Sequence, residues 1–469
     1  MTIASINPAT GEKLAVFEPL TDAELDRKLG AAERGFHLWR REPAQRRAEV
    51  LRKAAQVFTD RRQELGRLAT LEMGKLLSAA VAEVDKCAAG LRWYADEHER
   101  LLAPEPAPTD AARSYVRLDP LGPVLAVMPW NFPFWQVVRF AAPALLAGNV
   151  GLLKHASSVP QVALAIQDVF REAGCPAGVF QTLLVEARRV EGIVADDRVV
   201  AATLTGSEGA GRSLAAACGK HLKKVVLELG GSDAFLVLPS ADLEHAATVA
   251  VQARVQNNGQ SCIAAKRFIV HEKVAEEFEA RMTAKMAAVR VGDPMDEATE
   301  LGPLINAKGV DDLDGQVQRS LEAGAKLATG GKRLERPGFF YAPTLLVAVP
   351  RKSPAAVEET FGPVAALLRA KDLDDAIAVA NGSRFGLGAA AFTRDEAEIE
   401  RLSRELEAGS VFFNGMVKSD PRLPFGGIKA SGYGRELSSH GLREFMNVKS
   451  VWVAKAGQGT AVPGGPGVE

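Results

Sequence analysis

From residue 121 onward, short apolar runs alternate with helix-patterned stretches, and this alternation constrains the fold more than any other feature of the chain. The runs are Val124-Leu125-Ala126-Val127, Gly151-Leu152-Leu153, Phe180 to Leu184 and Val199 to Leu204, with helices expected over 159–173 and 208–219 between them. Strands joined through helices pair in parallel, because the helix is the connection that returns the chain to the same end of the sheet. A second block follows Glu228, with strands near 234–238 and 267–271 and helices near 242–256 and 273–289. The expected fold class is therefore α/β, with two parallel-sheet domains.

Residues 22 to about 100 pattern as helices with charged faces, as in Ala44-Gln45-Arg46-Arg47-Ala48-Glu49-Val50-Leu51-Arg52, and the Pro-rich 103–110 segment reads as a connection. A chain of 469 residues exceeds one compact core, so two or three domains are expected. The tail from Ala456 onward is rich in Gly and Pro and is expected to be disordered.

The charge balance, 57 Lys plus Arg against 58 Asp plus Glu, gives no electrostatic footprint for nucleic acid. No apolar run is long enough for a membrane span, and the N-terminus lacks the basic and apolar regions of a secretory signal. Seven scattered histidines offer no metal-ligand spacing, so no metal is expected. Four cysteines in so long a chain are no disulfide framework, which fits a reducing, cytoplasmic compartment.

Chemistry enters with Cys262, in the run Asn257-Asn258-Gly259-Gln260-Ser261-Cys262. A free cysteine is most often a small buried hydrophobe, and Cys87, Cys175 and Cys218 stay in that class. Cys262 differs because it sits on a Gly-containing turn, with Glu228 (in Glu228-Leu229-Gly230-Gly231) available as a general base and Asn131 (in Pro129-Trp130-Asn131-Phe132-Pro133) as an oxyanion donor. Taken singly, Glu228 could be an exposed acid at a strand end and Asn131 a turn residue before Pro133. Together the three suit chemistry on a carbonyl. The run Gly206-Ser207-Glu208-Gly209-Ala210-Gly211 follows a strand and opens a helix, so its backbone N–H groups could meet a phosphate, although it lacks the GxGxxG pattern.

Seven motifs, taken in order, resemble the aldehyde dehydrogenase family: Asn7 to Glu12, Trp130-Asn131-Phe132-Pro133, Thr205-Gly206-Ser207, Glu228-Leu229-Gly230-Gly231, Gly259-Gln260-Ser261-Cys262, Glu359-Thr360-Phe361-Gly362-Pro363 and Pro424-Phe425-Gly426-Gly427. The resemblance spans about residues 6 to 453. Within the family, Gly415-Met416-Val417-Lys418-Ser419-Asp420-Pro421 is similar to the succinate-semialdehyde dehydrogenases. The resemblance implies a Rossmann-like cofactor domain (1–101 and 121–228), a catalytic domain (229–430) and a small oligomerisation β-element (102–120 and 447–455) of a homodimer or homotetramer. The tail is then 456–469.

The resemblance further implies NADP or NAD as cofactor, held by Trp130, Lys154, Ser157, Gly206, Ser207, Glu359 and Phe361. NAD-preferring relatives place a glutamate three residues after the lysine; Ser157 stands there instead. A carboxylate repels a 2′-phosphate and a hydroxyl can donate to one, so the expectation leans to NADP, with Lys154 and His155 adding positive charge. For the substrate, Arg139 matches the arginine that holds a carboxylate in semialdehyde relatives, with Phe132, Ser419 and Phe425, aided by Lys418, completing the site. A second arginine common in those relatives is Gln256 here, and Ile263 and Ala264 leave no second cysteine beside Cys262 for a redox switch. Glu228 implies water, not coenzyme A, as acyl acceptor. A dehydrogenase of another aldehyde (glutarate semialdehyde, an aminoaldehyde, an aliphatic one) and a non-catalytic family member remain as alternatives.

Overall fold

The strand-helix alternation builds two largely parallel sheets in the computed structural model, which describes residues 2–455. The first sheet runs Gly432–Tyr433, Lys224–Glu228, Ala201–Thr205, Pro123–Met128, Val150–His155, Phe180–Thr182. Its five longer-separated partners pair in parallel, and only Gly432–Tyr433 is antiparallel. Ala201–Thr205 is buried along its whole length, as expected for a strand covered by helices on both faces. Strand order reverses between Pro123–Met128 and Ala201–Thr205, and the crevice outside the carboxyl ends at such a reversal is where open α/β sheets hold ligands.

The second sheet has seven strands, in the order Lys326–Thr329, Thr344–Val347, Val364–Ala370, Ala265–His271, Asp233–Val237, Gly388–Phe392, Ser410–Phe413. The helices expected over 242–256 and 273–289 are Leu243–Val255 and Glu272–Ala287. Five helices between Asp22 and Leu102 pack their apolar faces into the same core as the first sheet. The first of them, Asp22–Trp39, begins with a capping box in which Thr21 and Glu24 satisfy each other's backbone N–H.

Two features lie outside the sequence expectations, the N-terminal hairpin and the strand that edges the first sheet, while a small sheet forms where 102–120 and 447–455 are expected to supply one. An N-terminal hairpin pairs Ile3–Ile6 with Lys13–Phe17. The Pro-rich connection contains the short strand Glu105–Pro106, which joins Arg113–Pro120 and Met446–Val453 in a three-stranded antiparallel sheet. Gly432–Tyr433 closes the edge of the first sheet although it lies far beyond the 121–228 segment. There, Gly432 has φ +112°, and a Cβ would sit 2.0 Å from the Leu227 carbonyl oxygen, so only glycine fits. Segment 456–469, expected to be disordered, lies outside the described residues. Among the described residues no helix is long and apolar enough to cross a membrane, and no cluster of His, Cys, Asp and Glu is arranged to hold a metal ion.

Candidate active site

The turn that carries Cys262 is built by an unusual run of backbone. Asn257, Asn258 and Gly259 all have positive φ (+53°, +59° and +74°), the region that asparagine tolerates and glycine prefers. The asparagine side chains hold the turn in place. Asn257 donates to the carbonyls of Asn131 (2.7 Å) and Gln260 (3.0 Å), and Asn258 to those of Gly74 (2.8 Å) and Pro303 (2.9 Å). A Cβ at Gly259 would lie 2.2 Å from the Gly362 carbonyl carbon. The glycine thus lets the nucleophile turn press directly on the Glu359–Pro363 segment. This is why two motifs distant in sequence meet at one place.

Lys266, fully buried on the strand Ala265–His271, anchors the turn from behind. Its ammonium donates to the carbonyls of Ser261 (2.9 Å) and Cys262 (2.7 Å) and lies 3.5 Å from Glu359 Oε1. Glu359 in turn accepts the Gly231 N–H at 3.0 Å. Sequence reasoning missed Lys266. Its signal is present in Ala264-Ala265-Lys266-Arg267-Phe268-Ile269-Val270, where two cations interrupt a run that otherwise reads as buried strand.

Asn131 follows Pro123–Met128, its side chain buried and donating to the Gln260 carbonyl at 3.0 Å. Cys262 and Asn131 line one cavity of about 300 Å³ together with Trp130, Gly206, Glu359 and Phe361. Ser207, Leu229 and Gly230 also border it, so the cavity sits where three strands of the first sheet end. Trp130 and Phe361 meet edge to face at 5.8 Å. Ser207 caps the helix Glu208–Lys220, its side chain accepting from Ala210 N–H. Glu208, in that helix's first turn, is drawn aside by Arg212 and Arg384.

Burial pushes the Cys262 thiol up to about 12, against the pull of Arg139 and Lys266. Glu228 is buried and neither of its oxygens has a hydrogen-bond partner. Its carboxyl is held well above the usual range by burial, with Glu436 adding to the shift and Arg139 and Arg435 opposing it. The Glu228 carboxyl abuts Gly426, where a Cβ would stand 2.7 Å from Oε1, and it does not border the cavity of Cys262.

Lys154 and Ser157 line a separate cavity of about 730 Å³, with Arg188 on its rim. Lys154 is buried without a carboxylate partner among the described residues, and burial lowers its pKa. His155 does not supply the positive charge expected of it. Its ring is buried, its Nδ1 accepts from Ala156 N–H (2.9 Å), and its pKa is pressed down to about 4 by burial. The neutral ring therefore carries its hydrogen on Nε2, which donates to the Pro133 carbonyl at 2.9 Å. It ties the strand Val150–His155 to the Asn131 loop.

The placement of Arg139 also departs from expectation. It lies on the helix Trp135–Ala147 as anticipated, but it is buried, ion-paired with Glu436, 3.2 Å from Thr205 Oγ1 and stacked over the Phe425 ring at 4.6 Å. A guanidinium committed to a buried carboxylate is not a free two-bond clamp. Removing it would leave Glu436 uncompensated, at a cost of about 3–5 kcal/mol. Phe132 receives the Lys75 ammonium over its ring at 4.3 Å, Lys418 is exposed, and Ser419 is buried against Lys86 and Trp135.

A thiol on a strained turn, an amide beside it, and a cavity at the sheet reversal with a second cavity holding an unpaired lysine are what a dinucleotide-dependent enzyme acting on carbonyls requires. Residues 1–451 match the model of the aldehyde dehydrogenase family, and the chain belongs to that family. It is 54% identical to succinate-semialdehyde dehydrogenase [NADP(+)] 1 of Mycobacterium tuberculosis over 97% of this chain and all of that protein. A probable succinate-semialdehyde dehydrogenase [NADP(+)] of Synechocystis is likewise 54% identical, over 97% of this chain and all of its own length. The crystal structure of succinic semialdehyde dehydrogenase from Streptococcus pyogenes, in complex with NADP+, superposes with a TM-score of 0.95 at 38% identity, covering 97% of this chain and 100% of that one.

Proposed function

We propose that this protein oxidises succinate semialdehyde to succinate with NADP as cofactor, through a covalent intermediate on Cys262. The observation that carries the reading is the single cavity in which Cys262, Asn131, Gly206, Glu359 and Phe361 converge. The residues suit a dinucleotide. A Cβ at Gly230 would stand 2.4 Å from Glu359 Oε2, so the glycine leaves that carboxylate room to turn toward a ribose. The buried, unpaired ammonium of Lys154 and the exposed hydroxyl of Ser157 suit a 2′-phosphate.

In this reading the Cys262 thiol gives its proton to solvent and Sγ attacks the aldehyde carbon as the thiolate. The second N–H of Asn131 and the backbone N–H of Cys262 receive the oxyanion, and the Lys266 ammonium holds the turn's carbonyls so that this N–H stays aimed. The bound nicotinamide supplies the hydride acceptor. The acyl group then rests on Cys262 as a thioester, and Glu228, whose side chain must first turn from Gly426 toward the cavity, takes a proton from the water that releases the acid. Oligomerisation through the three-stranded sheet accounts for Val448 and Trp452, which are more than half exposed on its outer strand. The assembly would be a homodimer or homotetramer, and with four free cysteines we assign it to the cytoplasm.

The deciding test compares initial rates on succinate semialdehyde and on butanal, each with NADP and NAD. The reading expects the semialdehyde and NADP to be preferred; equal kcat/KM on both aldehydes would reduce it to a general aldehyde dehydrogenase. A companion expectation concerns Ser157→Glu. A carboxylate facing the 2′-phosphate should raise KM for NADP by roughly 10-fold or more and leave NAD much less affected. An unchanged NADP-to-NAD ratio would remove Ser157 from the recognition of that phosphate.

A further inference from the structure

Lys86 stands where three elements meet, and nothing in the catalytic scheme uses it. It lies on the helix Leu77–Asp96, and its Nζ is 2.7 Å from Ser419 Oγ and 4.5 Å from the centroid of the Trp135 ring. Trp135 opens the helix that carries Arg139 one turn later, so both side chains share one face of that helix. The indole N–H of Trp135 also donates to Ser419 Oγ, at 2.9 Å. The serine oxygen thus accepts two hydrogen bonds, and its own hydrogen has no acceptor among the described residues. The Lys86 ammonium uses one of its three hydrogens on Ser419 and forms no ion pair with a carboxylate among the described residues. The nearby titratable groups are Arg139, Cys87, Glu83 and Asp420; Cys87 is a buried thiol, Glu83 is taken by Lys75 and by the N–H groups of Phe134 and Trp135, and Asp420 by Arg422.

The contrast with Arg139 is the point. Arg139 is neutralised by Glu436, whereas Lys86 is a half-buried cation with hydrogens to spare, beside a hydroxyl whose hydrogen has no acceptor among the described residues. Such convergence of unused donors on one spot suits an anion. Arg139, one turn on from Trp135, is close enough to act electrostatically on both Lys86 and Cys262, which brings this spot into the neighbourhood of the reacting centre. Burial lowers the Lys86 pKa to about 8, as expected for a cation with no countercharge of its own.

We propose that Lys86, with the Ser419 hydroxyl, anchors the distal carboxylate of the aldehyde substrate. This rests on the semialdehyde reading above. Sequence reasoning leaves the carboxylate subsite one cation short at Gln256, and Lys86 fills the shortfall from a different element.

The experiment measures kcat/KM for succinate semialdehyde and butanal in the wild type, Lys86→Met and Lys86→Arg. Loss of one charge-assisted contact should lower the semialdehyde-to-butanal ratio in Lys86→Met by roughly 10–100-fold, mostly through KM. Lys86→Arg should recover a large part of it. A wild-type ratio near unity would overturn the substrate reading itself. A high wild-type ratio that survives in Lys86→Met, or an equal loss on both aldehydes, would overturn only the anchor and make Lys86 a structural latch. Alkylation of Cys262 by iodoacetamide provides a second readout, also usable with Lys86→Gln should Lys86→Met not fold. Succinate should slow the reaction in the wild type and not in the variant, and equal protection in both would likewise overturn the anchor.

Discussion

Cys262→Ala is expected to abolish aldehyde oxidation, with kcat falling on the order of 10⁵-fold or more, as when other enzymes lose a nucleophile that works as part of a unit. No other thiol is placed to compensate. Cys87 is fully buried in the helix Leu77–Asp96, Cys218 is buried on Glu208–Lys220, and burial raises all three remaining thiols well above their ordinary values. Cys262 is itself raised in this structure, so its reactivity must come from changes at the site when the ligands bind. The variant should still fold and bind NADP, because the side chain is only half-buried and the turn is held by Asn257, Asn258 and Lys266. Nucleotide binding by calorimetry, with a fixed-time assay for NADPH, checks both halves. A loss no larger than a packing change would cause would remove Cys262 from the nucleophile role.

Glu228→Gln should separate the two halves of the reaction. In the proposed scheme acylation does not use this carboxylate, so a rapid-mixing experiment should show one equivalent of NADPH per site, followed by a steady state about 10²–10⁴-fold slower than wild type. The pH dependence carries the sign. The buried Glu228 carboxyl is held well above its ordinary value by burial and by Glu436, and only its ionised form can accept a proton from water. The wild-type steady-state rate should therefore climb as pH rises through that elevated value. The glutamine variant should lose this dependence in the steady state while keeping, in its burst, the climb that belongs to Cys262. An undiminished steady state in Glu228→Gln would assign the base elsewhere. Glu436, its nearest acidic neighbour, would be the first alternative.

The strand-helix alternation was legible because parallel strands covered on both faces are short, apolar and regularly spaced; Ala201–Thr205 and Asp233–Val237 are fully buried and fall where the pattern puts them. The motif residues were legible because turns and close approaches demand particular residue types, as at Gly259. What the chain does not advertise is which distant charges meet. Arg139 reads the same whether it faces a substrate or Glu436, since the ion pair joins residues almost three hundred positions apart. His155 looks like an added charge until its burial and the Ala156 N–H fix it as neutral. Lys86 sits on a helix that carries both the buried Glu83 and the exposed Asp85, Arg92 and Asp96, so periodicity cannot tell which of its charges faces inward. Gly432–Tyr433 is too short to announce itself as a strand, and the sheet it completes begins far upstream.

That last pairing bears on how the protein is made. During synthesis the strand Lys224–Glu228 leaves the ribosome with one edge bare, and the residues that cover it follow about 200 positions later. At typical elongation rates of ~5–20 residues per second the edge waits on the order of 10–40 s. An uncovered strand edge is a template for pairing with other chains, so this interval is when a nascent molecule is most exposed to association with its neighbours on a polysome. Slowing translation of the downstream half would lengthen the interval, and the soluble yield of the enzyme would fall even though its finished fold is unchanged.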